Sequence, residues 1–249
     1  MRTLLRLYQI HNHSSQPKHL SRFAYSTMTA QYDCIIIGSG QGGTPLANAF
    51  AKAGKKTALI ERSHIGGCCV NEGCTPTKTM VASGRVAYLA RRGPDYGIHL
   101  TQSNSGQFDL LSKENSIKVD MKKVRDRKRK IVDSFRGGNE KRVNDAGVHV
   151  IMGEGGFVDA KTIKVKVEGG EDVVVTAETI CINTGERPSS PSVSGIDNVP
   201  KELVLNSTSV MELDKVPKHL LVVGGGYIGV EFGQLFRRYA RRLWKRPFG

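Results

Sequence analysis

The chain has 249 residues, 39% hydrophobic content, five cysteines and a formal net charge of +14. That is apolar material for one large core or two smaller ones, which excludes a wholly disordered chain, and too few cysteines for a disulfide scaffold. No run approaches the roughly 20 apolar residues of a membrane span, and the charge points to a polyanion only if it covers the body of the chain.

It does not. Residues 1–28 carry Arg2, Arg6, Lys18 and Arg22 with no acid, residues 121–130 carry seven bases against Asp126, and residues 237–246 carry six bases with no acid. These segments more than account for the surplus, so the rest of the chain is slightly acidic and no nucleic-acid partner is expected. With leucines at 4, 5 and 7 and scattered Arg, Ser and Thr, residues 1–28 have the composition of a mitochondrial presequence. A leader and a mitochondrial location are therefore expected, or a cytoplasmic one if translation starts at Met28.

The first folded unit is predicted over Tyr32–Glu61. Cys34–Ile37 is a short, wholly apolar run that suits a parallel strand buried on both faces. Gly38-Ser39-Gly40-Gln41-Gly42-Gly43 follows, then a small-residue helix over Thr44–Ala53 ending at Gly54, then a second strand over Lys56–Ile60. A lone GxGxxG is weak evidence, but one that leaves a buried strand, opens a helix and is followed by an acid at the end of the next strand has the full dinucleotide context. Gly38 would make the tight turn, Gly40 would let the backbone approach a pyrophosphate, and Gly43 would let helix and strand pack closely. The helix N-terminus favours phosphate charge, and Glu61 can accept hydrogen bonds from a ribose.

The next segment, Gly66-Gly67-Cys68-Cys69-Val70-Asn71-Glu72-Gly73-Cys74-Thr75-Pro76-Thr77-Lys78, precedes a helix predicted over Thr75–Arg92 and stopped by Gly93-Pro94. Four residues between Cys69 and Cys74 can loop back to bring two sulfurs within bonding distance. A helix N-terminus lowers a thiol pKa, and Lys78 could add a positive charge nearby. The alternatives are inert core cysteines or a metal site. Zinc would want C-x2-C pairs or histidines, and only His64 is close, so no metal is expected.

Residues 100–118 read as a loop insertion. Met121–Phe135, with apolar residues at 121, 124, 131, 132 and 135, reads as an amphipathic helix whose basic face is solvated. Val148–Ile151, Phe157–Val158, Thr162–Val167 and Glu171–Thr176 read as a β-meander, and Thr179–Asn183 as a further strand ended by Thr184-Gly185. Ser189–Pro200 is a proline-bearing connection. Leu220–Val223 then opens a second strand–glycine–helix unit with Gly224, Gly226 and Gly229 in a second GxGxxG.

Taken together, the first fingerprint, the C-x4-C segment ending GCTPTK and the later Gly224-Gly225-Gly226-Tyr227-Ile228-Gly229-Val230-Glu231 resemble class-I pyridine nucleotide-disulfide oxidoreductases, and among them mercuric-reductase-like members. The resemblance runs from about Tyr32 to about Arg238. It implies an α/β chain: a Rossmann-like FAD-binding domain over 29–216, made of the βαβ unit plus the meander, and then the first β-α unit of an NAD(P)-binding domain over 217–249. It implies that Cys69 and Cys74 form the redox-active disulfide, with Cys74 beside the flavin and Cys69 exchanging with substrate. Lys78 would lie near the flavin and pair with Glu231, and Tyr227 would gate the nicotinamide pocket. Gly38, Gly40, Gly43, Glu61, Gly67, Thr184 and Gly185 would contact FAD, and Gly224, Gly226 and Gly229 NAD(P)H. Asn183 stands where the family has Ala, and Cys68 where it has Thr. Electrons would pass from NAD(P)H through flavin to the disulfide and on to a disulfide or metal-ion substrate.

Residues 239–249 lack the strand and acid expected to follow a second fingerprint, and are read as an aberrant, frameshifted or mis-spliced tail. The rest of the NAD(P) domain, and the dimerisation domain that completes the family's homodimer, are expected to be missing. A FAD-binding fragment without turnover, or a non-functional product, is accordingly the alternative to an active enzyme.

Overall fold

A computed structural model of the chain describes residues 30–98, 118–189 and 193–239. The expected leader over 1–28, almost all of the loop insertion and the tail beyond Tyr239 lie outside them.

The predicted βαβ unit is present as β1 (Ala30–Ile37), α1 (Gly43–Lys52) and β2 (Thr57–Glu61). Then come α2 (Gly67–Asn71), α3 (Cys74–Arg91), α4 (Met121–Asp145), β3 (His149–Met152), β4 (Glu154–Asp159), β5 (Thr162–Lys166), β6 (Val173–Ile182) and α5 (Tyr227–Tyr239). The strands make one sheet in the order β3-β2-β1-β6-β5-β4. Its centre is parallel, with β1 between β2 and β6. Such a strand is covered on both faces, which is why it reads as an unbroken apolar run. Ile35 and Ile37 meet Ile60, Ile151 and Ile163 on one face, while Cys34 and Ile36 meet Ala47, Leu59 and Val143 on the other.

Several expectations change in detail. Val148–Ile151 does not join the meander: β3 pairs in parallel with β2 at the sheet edge. The meander is β4-β5-β6. The runs Glu171–Thr176 and Thr179–Asn183 are one strand, β6, which pairs antiparallel with β5 through residues 173–176 and parallel with β1 through residues 175–182. The intervening Ala177-Glu178 continues the strand without a turn, with β5 on one side and β1 on the other. The cysteine segment, for which no element is predicted, holds a short helix of its own, α2.

The basic helix runs ten residues past its predicted end, through Gly137-Gly138. Each glycine costs about 1 kcal/mol in a helix interior. That cost is offset by full burial of Val143 and by Arg136 Nε donating to Asn71 Oδ1 at 2.9 Å. Its basic face is only partly solvated. Lys128 is buried, donates to the Met211 carbonyl and pairs with Glu212; Arg129 bonds the same carboxylate at 2.5 Å, and Arg127 donates to the Thr79 carbonyl at 3.1 Å. Lys122, Lys123 and Lys130 remain exposed.

Of the second unit, the helix forms and the strand does not. Leu220–Val223 has no hydrogen-bonded strand neighbour among the described residues, and Leu221 and Val223 are exposed. A strand is completed by a partner, and none of the described segments supplies one. Helix α5 instead packs Phe232, Leu235, Phe236 and Tyr239 with Met80 of α3, Met121 of α4 and Val210-Met211. Gly84 permits this approach, since a Cβ there would lie 2.7 Å from Leu235 Cδ1. Among the described residues no helix is long and apolar enough to cross a membrane.

Candidate active site

Ligands of open parallel sheets bind at the carboxyl ends of the strands. Here three such ends converge. Gly38 N–H donates to the Ile60 carbonyl at 2.8 Å, and Asn183 N–H donates to the Ile37 carbonyl at 2.8 Å, so the glycine loop is stitched to both neighbouring strands.

The loop can be built only from glycine at its key positions. Gly38 has φ +98°, and a Cβ there would lie 2.2 Å from the Asn183 carbonyl oxygen. A Cβ on Gly43 would lie 1.9 Å from the Gly38 carbonyl oxygen. Around Gly40 the nearest atom to such a Cβ is Asn183 Nδ2 at 3.4 Å, so the second glycine leaves its backbone open to a ligand. Gly67, predicted as a cofactor contact, has a packing reason as well. It has φ +63°, and a Cβ on it would lie 2.5 Å from Gly40 Cα. The start of the cysteine helix therefore rests directly on the glycine loop.

Glu61 lies beneath this contact. It is 7% exposed, and its Oε2 accepts from Ser39 N–H at 3.0 Å and from the Ser39 hydroxyl at 2.6 Å. Its Oε1 accepts from Ser63 N–H at 2.9 Å and from the Ser63 hydroxyl at 3.4 Å. Burial alone would raise this carboxyl; the hydrogen bonds from Ser39 and Ser63 outweigh it and hold the group below its usual range. With four donors a carboxylate is fully occupied. To accept a ribose hydroxyl, Glu61 must release a contact, the longest being the Ser63 hydroxyl. Ser39 is the residue that motif reading passed over. Its hydroxyl donates to Glu61 and accepts from Gly66 N–H at 3.1 Å, joining the acid to the cysteine segment. Asn183, noted in the sequence only as a departure from the family's Ala, has a role of its own: its amide donates to the Gly38 carbonyl at 3.0 Å and so holds the first glycine's peptide plane.

The cysteines sit at the α2–α3 junction, Cys69 in α2 and Cys74 as the first residue of α3. All five cysteines of the chain are free thiols in this structure. The Cys69 and Cys74 side chains face each other closely enough for Cys74 to act on the titration of Cys69. The expectation that the helix start lowers a thiol pKa does not hold for Cys69. Burial first, and then the Cys74 thiol, push it up to about 11. The junction is held from outside: Asn71 donates to the Gly67 carbonyl at 3.0 Å and accepts from Arg136 of α4. Pro76 is the third residue of α3, within the first turn, where a missing N–H costs nothing.

Lys78 of α3 and Glu231 of α5 form an ion pair, as predicted. The other predicted residues are placed but not gathered. Gly185 has φ +67° with nothing near its missing Cβ, Thr184 is exposed, and Tyr227 is exposed at the start of α5. A Cβ on Gly224 or on Gly226 would meet nothing within 4 Å. Gly229 repeats the packing of Gly43, since a Cβ on it would meet the Gly224 carbonyl oxygen at 3.0 Å, so the second fingerprint has the same internal geometry in looser form. Among the described residues no group of three His, Cys, Asp or Glu side chains is arranged to hold a metal ion.

Residues 32–243 match the family described as Pyridine nucleotide-disulphide oxidoreductase. A mercuric reductase of Bacillus cereus is 39% identical over 208 residues, covering 82% of this chain and 29% of that protein. A dihydrolipoyl dehydrogenase of Chlamydia muridarum is 33% identical over 210 residues, covering 84% of this chain and 41% of that protein. Among solved structures, the Cu(II) complex of the HOCl-induced flavoprotein disulfide reductase RclA from Escherichia coli superposes with a TM-score of 0.68 at 32% identity. That match covers 85% of this chain and 41% of RclA. The chain thus spans well under half the length of these proteins.

Proposed function

The chain belongs to the pyridine nucleotide-disulphide oxidoreductase family, and from that premise we propose that it is a flavin-binding dithiol unit that reduces a small disulfide or a thiophilic metal ion. The observation that carries this reading is the direct contact between the two motifs. Gly67, two residues before Cys69, packs on Gly40 of the dinucleotide loop, and Ser39 binds both Glu61 and Gly66. A dinucleotide on that loop is thereby tied to the thiol pair through two backbone steps.

The residues fit FAD, the cofactor of the family. Gly38, Gly40 and Gly43 would hold its pyrophosphate against bare backbone N–H groups, Glu61 its ribose, and Gly67, Thr184 and Gly185 its flanks. When bound, FAD supplies the two-electron chemistry that reduces the Cys69–Cys74 disulfide, with NAD(P)H as the electron source. The chain's own thiols carry the rest. The Cys69 thiolate attacks one sulfur of the substrate disulfide, forms a mixed disulfide and releases one thiol. Cys74 then attacks Cys69 Sγ, which releases the second thiol and closes the Cys69–Cys74 bond. Lys78, held by Glu231, puts a positive charge one turn beyond Cys74. Tyr227, at the start of α5, would cover the nicotinamide position.

One observation favours a second reading, a flavin-binding unit without NAD(P)H-driven turnover. Leu220–Val223, which should lead into the nicotinamide loop, has no strand neighbour among the described residues. An absorbance spectrum of the FAD-loaded protein with and without NADPH separates the two. Loss of the flavin band on adding NADPH supports turnover; a bound flavin that NADPH leaves unchanged supports the second reading; no bound flavin refutes both.

A further inference from the structure

Cys68 has no part in the reaction just described, yet it stands in the same cluster. It is the second residue of α2, beside Cys69, and its side chain is exposed. Its Sγ lies 3.3 Å from the point a Cβ on Gly73 would occupy, so the thiol reaches across the α2–α3 junction towards the residue that precedes Cys74. Glycine at 73 keeps this approach clear, because any side chain there would press on the sulfur. Cys74 is also among the groups whose charge acts on Cys68, after burial, Glu72 and Glu186.

We propose that Cys68 is a third exchanging thiol that competes with Cys69 for Cys74. From the Cys69–Cys74 disulfide, the Cys68 thiolate attacks Cys74 Sγ. The Cys68–Cys74 bond forms as the Cys69–Cys74 bond breaks, and Cys69 leaves as the thiolate. The net result is one disulfide as before and one proton moved from Cys68 to Cys69, so no oxidant or reductant is consumed. A direct Cys68–Cys69 bridge is disfavoured, since adjacent Cα atoms are about 3.8 Å apart and disulfides span about 4.4–6.8 Å. Cys74 is therefore the shared partner. The two competing rings differ by one residue, so loop closure hardly discriminates between them. In the rearranged state Cys69 can still take up a small disulfide, but Cys74 cannot resolve the adduct until Cys68 gives it back. The third thiol acts as a brake on turnover.

This rests on the reading of Cys69 and Cys74 as an exchange pair, but its test needs neither flavin nor turnover. The full chain is oxidised with diamide, its free thiols are alkylated, and it is cleaved after glutamate. That separates residues 62–72, which carry Cys68 and Cys69, from residues 73–114, which carry Cys74. The two peptides are expected to be disulfide-linked, with at least about a tenth of the linked material alkylated at Cys69 instead of Cys68, because ring closure favours neither strongly. Alkylation confined to Cys68 overturns the proposal while leaving the exchange pair intact; no link at all refutes the exchange pair itself. In parallel, the Cys69→Ser chain is expected to form the Cys68–Cys74 link under the same treatment, and the Cys68→Ser, Cys69→Ser double variant to lose it.

Discussion

Replacing Ser39 with alanine tests the link between the dinucleotide loop and the cysteine segment. The substitution removes one oxygen and adds no bulk. It takes from Glu61 a 2.6 Å hydrogen bond, and from Gly66 N–H its acceptor at 3.1 Å. A hydrogen bond to a charged group is worth about 1.5–3 kcal/mol, and a buried donor left without a partner costs about 1–3 kcal/mol. The two losses share one oxygen and do not add fully, so about 2–4 kcal/mol is expected. With a urea slope of about 2 kcal/mol/M, the unfolding midpoint should fall by about 1–2 M at pH 7. The pH dependence gives a second check. Glu61 is held below its ordinary value of 4.5 in the folded chain, so its hydrogen-bond stabilisation is present above that value and lost as pH falls through the lower folded one. The gap between Ser39→Ala and wild type should therefore narrow in acid. A midpoint within about 0.2 M of wild type, or a gap that does not change in acid, would refute the reasoning.

Gly43→Ala places a Cβ 1.9 Å from the Gly38 carbonyl oxygen; we expect a loss of about 1–3 kcal/mol by denaturant melt and a weakening of FAD affinity by about tenfold or more by equilibrium titration. The Lys78–Glu231 pair has side chains 66% and 26% exposed, so Lys78→Met should change stability by less than about 1 kcal/mol. In the fully reduced, flavin-free protein, Cys69 is pushed up to about 11 from its ordinary value of 9.0. Its thiolate fraction at pH 8 should be about 100-fold below that of an ordinary thiol, partly offset by higher intrinsic nucleophilicity. Alkylation at Cys69 followed by mass spectrometry should run about tenfold slower than for a model thiol and rise towards pH 11.

The parts legible in the sequence are those fixed by local chemistry. Cys34–Ile37, the glycine loop and Lys56–Ile60 define the βαβ unit because apolar strands and glycine turns are local signals. Cys69 and Cys74 were legible as a pair from their spacing and the helix that follows. Pairing across the sheet was not: β3 beside β2, and β6 between β1 and β5, depend on residues far apart in sequence. The length of α4 was hidden by Gly137-Gly138, since only the packing of Val143 and the reach of Arg136 to Asn71 outweigh two glycines. Ser39 was hidden inside the motif, at a position where GxGxxG specifies nothing. The opposite sense of the Cys69 shift was hidden too, because burial of a single side chain has no sequence pattern.

Anaerobic titration of the FAD-loaded chain with dithionite tests the central claim most directly. A flavin next to a reducible Cys69–Cys74 disulfide should take up four electrons per flavin, falling to two in the Cys74→Ser chain. Uptake of two electrons in both proteins, or a chain that retains no flavin, would contradict the account.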